Sequence, residues 1–214
     1  MMRPRCGFTL SELVVVISII VILASILLPA IRTVRNSAQS VTCMNIQRQL
    51  AMSNLAYATD EKGNALDGRH YAWGLDRVFL DNLGMSTSEV NVALGNHGKW
   101  PKRLVCPQKA LDTLNGDENY AYNCIPWTTG YVDWDSMDDP NVNFRPKLTS
   151  IPSVSEALMF GETDGWYAMS FYMTSRHGKN TNCVFWDGHV QAMPTWQIRS
   201  VVMYPTSSFF WRTK

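Results

Sequence analysis

From Leu13 to Leu28 the chain carries no charge, and only Ser18 and Ser25 are polar. No other stretch restricts the fold as strongly. The 24 residues from Phe8 to Ile31 would make a helix about 36 Å long at ~1.5 Å per residue, enough to cross a bilayer. One residue sits awkwardly in the run. Glu12 stands just inside its leading edge, where a carboxylate in hydrocarbon is unfavourable unless something compensates it.

Three readings of this segment compete. A secretory signal peptide explains the basic Arg3 and Arg5, but the apolar core is long and no clear small-x-small cleavage site follows it. An uncleaved anchor explains the run and the arginines, but not Glu12 or the Gly7-Phe8 junction. The third reading rests on Gly7-Phe8-Thr9-Leu10-Ser11-Glu12-Leu13, set behind a short basic leader and ahead of the apolar run. This stretch resembles the processing motif of type IV prepilins and type II secretion pseudopilins. The resemblance implies that a prepilin peptidase cuts after Gly7 on the cytoplasmic side and methylates the new amine of Phe8. The apolar helix is then kept. It also implies a partner for Glu12, whose carboxylate would meet the Phe8 amine of a neighbouring subunit in a filament. A buried ion pair is a good register device even where it adds little stability. The alternative is a Glu12 that snorkels to the interface from near the helix end. Pro29 removes one helical hydrogen bond. By the resemblance it marks a kink where the helix bends or unwinds in a filament; otherwise it marks the membrane exit.

Beyond Pro29 no proline or glycine occurs until Gly63. Val34, Ala38 and Val41 fall on one helical stripe, and Cys43, Ile46, Leu50 and Tyr57 on a second. Arg32, Arg35, Gln39, Gln47 and Arg48 are assigned to the opposite face. The chain thus divides into a leader (1–7), a transmembrane and assembly helix (8–31), an amphipathic continuation (32–62) and a globular head (63–214). The expected class is α+β, with a long N-terminal helix packed against a small antiparallel-sheet head, as in pilins.

Within the head a short helix is expected over 74–83, with Leu75, Val78, Phe79 and Leu83 turned inward. A loop is expected over 84–101, a brief strand within 119–126 and another strand within 156–163. Residues 182–193 read as a hairpin around Asp187-Gly188. Its turn is expected to be type I′, with Trp186 opposite His189.

His177 is followed after nine residues by Asp187-Gly188. This His-x9-Asp-Gly pattern resembles the C-terminal motif of a large group of bacterial prepilin-like proteins. Residues 43–63, Cys106-Pro107 and residues 119–123 resemble that group too. His177, Asp187 and His189, with Glu162 or Asp164, are donors that suit a divalent metal. The plainer reading makes Asp187 a turn residue and His177 a hydrogen-bonding strut. Asp133, Asp135, Asp138 and Asp139 could hold calcium but lack EF-hand spacing. No cofactor is therefore expected, with calcium or another divalent metal left open. No nucleophile elbow, phosphate loop or zinc-protease helix motif occurs, so no enzyme is expected. Trp100, Trp127, Trp134 and Trp166 are candidates for a ligand surface, or else parts of the core.

The five cysteines form no Cys-x-x-Cys pair, so a zinc cluster is not expected, and an odd count is awkward in an exported protein. Cutting after Gly7 would remove Cys6. Of the three pairings left, the family-like segments favour Cys43–Cys106 and Cys124–Cys183, with four reduced thiols as the alternative. Lys and Arg total 19 against 18 acidic residues, without a basic block, so nucleic acid is not an expected partner. The expected partners are the membrane, prepilin peptidase, other pilin or pseudopilin subunits and the secretion or pilus machinery. The expected location is the bacterial inner membrane, single-pass, with the head in the periplasm or on an extracellular filament. The competing function is a membrane-anchored envelope protein whose head binds a glycan, a metal or a protein.

Overall fold

The computed structural model describes residues 9–67, 76–95, 101–108, 120–122, 145–151, 153–163 and 174–202. Its first element, α1 (Leu10–Asp60), is a single helix of 51 residues. The helix continues through Pro29, where Thr33 Oγ1 donates to the proline carbonyl at 3.1 Å. The apolar side chains from Leu13 to Ile31 are exposed. An 18-residue window of this helix has mean hydropathy 3.1 and no buried residue, so the helix is long and apolar enough to cross a membrane.

Residues up to Ala38 form one unit and residues from Gln39 onward form another. In the second unit Cys43, Ile46, Leu50 and Tyr57 are buried, as their spacing predicts. Gln47, assigned to the polar face, is also fully buried, while Val41 is exposed. The reason is helical geometry: Gln47 lies four residues past Cys43 and three before Leu50, on the same stripe. Its amide is tolerated there because Nε2 donates to the Asn182 carbonyl at 2.8 Å. At the C-terminus the Gly63 N–H bonds the Ala58 carbonyl at 2.7 Å. The left-handed turn is shared by Lys62 (φ 56°) and Gly63 (φ 87°), so the glycine cap extends back to a lysine.

The short helix in the head is α2 (Arg77–Asn82), started by Asp76, whose side chain accepts from the Phe79 N–H at 3.1 Å. Phe79, Leu80 and Leu83 are buried but Val78 is 45% exposed, so Leu80 takes the inward place assigned to Val78. Leu75 lies outside the described residues. The stretch expected to be loop contains α3 (Thr87–Gly95). Ser86 and Glu89 form a capping box: the Ser86 N–H donates to Glu89 Oε2 at 2.9 Å, and the Glu89 N–H to Ser86 Oγ at 3.3 Å.

Among the described residues four strands make one antiparallel sheet in the order β1 (Tyr120–Tyr122), β2 (Leu158–Glu162), β3 (Asn180–Phe185) and β4 (Val190–Pro194). Tyr122 pairs with Phe160, Phe160 with Val184, and Val184 with Val190. A register shift between Leu158 and Phe160 marks a bulge in β2. The inner strand β2 is buried along its whole length. After β4 comes α4 (Thr195–Val202), which buries Ile198.

The β3–β4 hairpin forms where expected, with a different turn. Gly188 has φ 85°, but Asp187 does not have positive φ. The Gly188 N–H bonds the Phe185 carbonyl at 2.9 Å, and the Phe185 N–H bonds the His189 carbonyl at 3.0 Å. This is a three-residue loop closed by a left-handed glycine, the next most common hairpin connection after the two-residue turns. It places Phe185, not Trp186, opposite His189, and their rings stack with centroids 4.3 Å apart. Trp186 turns inward and is buried.

Candidate functional site

Among the described residues two places gather the polar groups that bear on function. The first is the start of α1. The Thr9 N–H donates to Glu12 Oε2 at 2.8 Å, and the Thr9 hydroxyl donates to the same oxygen at 2.7 Å. In return the Glu12 N–H donates to Thr9 Oγ1 at 3.3 Å. This is a second capping box, and it satisfies two orphan donors of the helix start. Glu12 thus has a compensating partner within its own chain. Thr9-x-x-Glu12 and Ser86-x-x-Glu89 both carry the capping-box pattern in the sequence. Gly7 and Phe8 lie outside the described residues.

The second place is a buried cluster in the unit beginning at Gln39. Glu162, at the end of β2, has a fully buried side chain. Its Oε1 is 2.8 Å from His177 Nε2, and the imidazole is 3% exposed. Asn182 of β3 holds the same carboxylate twice, through its backbone N–H at 3.0 Å and its Nδ2 at 3.1 Å. Cys106 Sγ lies 3.7 Å from His177 Nε2 and 2.9 Å from Cys43 Sγ. Cys43 comes from α1, and the Gln47 bond to Asn182 one turn further on ties helix to sheet. The topology explains the convergence. The β2–β3 pairing sets Gly161 against Cys183, which brings Glu162 beside Asn182. An isolated bridge between His177 and Asn180 folds the segment before β3 back toward that carboxylate.

The electrostatics follow from the contacts. Hydrogen bonding with Cys43 is the main influence on the Cys106 thiol; with help from His177 it outweighs burial and holds the thiol well below its ordinary range. Burial disfavours the charged imidazole of His177, but Cys106 and Glu162 overcome it and raise the ring to about 9. Burial, with the Glu162 charge adding to it, pushes the Cys183 thiol up.

The metal set suggested by the sequence is not brought together. His177 precedes β3, whereas Asp187 and His189 follow it, with the six residues of the strand between. At ~3.3 Å per residue the strand spans roughly 20 Å. Asp187 and His189 instead pair with each other at 2.6 Å in the exposed turn. Glu162 does meet His177, and the two cysteines join them. Asp164, Cys124, the acidic residues 133–139 and Trp100, Trp127, Trp134 and Trp166 lie outside the described residues.

With that geometry in place, comparison with known proteins adds one finding. Residues 2–28 match the family model of the prokaryotic N-terminal methylation motif. No curated protein and no solved structure matches the chain.

Proposed function

We propose that this type IV pilin- or pseudopilin-like chain, a substrate of prepilin peptidase by its N-terminal motif, is a structural subunit of a pilus-like or secretion-type filament. Cleavage after Gly7 frees the Phe8 amine, which is methylated. The retained helix anchors the subunit once in the bacterial inner membrane, with the head in the periplasm or on the filament. The observation that carries this reading is the motif match across residues 2–28. It runs straight into a helix whose apolar side chains stay uncovered from Leu13 to Ile31. Lipid or neighbouring helices would cover that surface.

The capping box refines the role of Glu12. In the free subunit its carboxylate is held by Thr9, the residue that follows the new N-terminus in sequence. On assembly the ammonium of an adjacent subunit takes up the second oxygen, so the cap and the pair coexist. Removing the charge would leave an ammonium unpaired in a low-dielectric bundle.

Two variants separate capping from assembly. Glu12→Gln keeps an oxygen for Thr9 but abolishes the charge; Thr9→Val removes the cap and keeps the charge. Filaments sheared from cells and probed by immunoblot are expected to lack the Glu12→Gln chain, although it inserts in the membrane normally. They are expected to retain Thr9→Val. Normal incorporation of Glu12→Gln would overturn the proposed pairing.

A further inference from the structure

The geometry points to a zinc site in the head, formed by Cys43, Cys106, His177 and Glu162. Cys43 Sγ, Cys106 Sγ, His177 Nε2 and a Glu162 carboxylate oxygen all lie within 4.8 Å of one another. The individual spacings are 2.9 Å between the sulfurs, 3.7 Å from Cys106 to His177 and 2.8 Å from His177 to Glu162. A tetrahedral zinc with bonds of ~2.0–2.3 Å sets its ligands roughly 3.3–3.8 Å apart. The cluster therefore has the right size, and its two closest pairs would open by less than about 1 Å around the ion.

The donor set selects the metal. Two thiolates with an imidazole and a carboxylate suit zinc, whereas calcium and magnesium take oxygen ligands. The surroundings resemble a metal's outer shell. Asn182 orients the Glu162 carboxylate through two N–H groups, and an ordered carboxylate is what a ligand position needs.

A disulfide between the two cysteines is the competing use of the same sulfurs. It would leave the buried Glu162–His177 pair as a bystander. His177 Nδ1 is buried with no hydrogen-bond partner among the described residues. Zinc at Nε2 would fix the ring as the neutral tautomer with its hydrogen on Nδ1, so no second positive charge is buried beside the ion. The ligands must be deprotonated, so binding expels the protons that the two sulfurs and Nε2 still carry. With four protein donors the site is closed, so its role is structural. It fastens α1 to a segment 63 residues away and to the sheet.

This inference does not depend on filament assembly. The full chain, purified in detergent without chelator and under inert gas, is expected to contain one zinc per molecule. After chelation, titration with cobalt(II) is expected to give a one-to-one complex with thiolate-to-cobalt charge-transfer absorption. Cys106→Ser should weaken that band and His177→Gln should lower zinc affinity at least tenfold, while Cys183→Ala leaves both unchanged. Should Cys106→Ser fail to fold, the wild-type cobalt spectrum decides alone. A metal-free chain with a Cys43–Cys106 disulfide in its peptide map would overturn the proposal. So would a reduced chain whose cobalt spectrum lacks thiolate absorption.

Discussion

Replacing Glu162 by alanine tests the buried cluster as the polar joint of the head. The substitution removes the acceptor of the Asn182 backbone N–H at 3.0 Å and of its Nδ2 at 3.1 Å, and it strips His177 of a partner at 2.8 Å. Both Glu162 and Asn182 are fully buried, so water does not replace what is lost. Each orphaned buried donor costs about 1–3 kcal/mol, and breaking a buried ion pair about 3–5 kcal/mol in all. These overlap, because the same donors are counted in both, so the expected loss is about 4 kcal/mol rather than their sum. With a urea m-value of ~2 kcal/mol/M the midpoint falls by roughly 2 M. The assay is urea unfolding of the full chain in detergent, followed by tryptophan fluorescence. Both proteins are treated with chelator, so loss of a metal ligand is not counted. Arg77→Ala serves as the control, since its pair with Asp81 is 4.0 Å long and more than half exposed; it should cost less than about 0.5 kcal/mol. A Glu162→Ala protein within about 1 kcal/mol of wild type would refute the reasoning, because the buried network would then add little.

Three further outcomes follow from single positions. Gly188 has φ 85° with nothing near a would-be Cβ, so Gly188→Ala should destabilise by about 1–2 kcal/mol through backbone strain alone, read from the same urea curves. Ser86→Ala removes an N-cap and should cost about 1 kcal/mol, seen as a drop in unfolding midpoint and faster proteolysis within α3. Cys183 is fully buried and its thiol is pushed up by burial, so iodoacetamide should label it only after denaturant is added; rapid labelling of the native chain would contradict its place in β3.

Much of this architecture was legible from pattern. The apolar run gave the N-terminal part of α1, and the spacing of Cys43, Ile46, Leu50 and Tyr57 gave the face that is buried. Strand β2 and the hairpin around Asp187-Gly188 were also readable. The failures have physical causes. Gln47 reads as outward because it is polar, although helical spacing puts it on the core stripe and Asn182 satisfies it. The expected hairpin pairing is off by one residue because a two-residue turn fits Asp187-Gly188 locally, whereas a glycine-closed three-residue loop forms. The start signal of helix α3 is Ser86-x-x-Glu89, which lies in a stretch that otherwise reads as loop. The buried cluster was legible only in part. The resemblance favours a meeting of Cys43 and Cys106, and the donor types point to Glu162 or Asp164 beside His177. Neither reading joined the two pairs, because their meeting depends on sheet register and on the bridge between His177 and Asn180, which no local spacing encodes.

The account rests on maturation at the Gly7-Phe8 bond, and mass spectrometry of the N-terminal peptide from the membrane-extracted chain tests it most directly. The expected peptide begins at Phe8, carries one added methyl group on its amine and lacks Cys6. A mature chain that still begins at Met1 would contradict the account, since no amine would then stand one helical turn from Glu12.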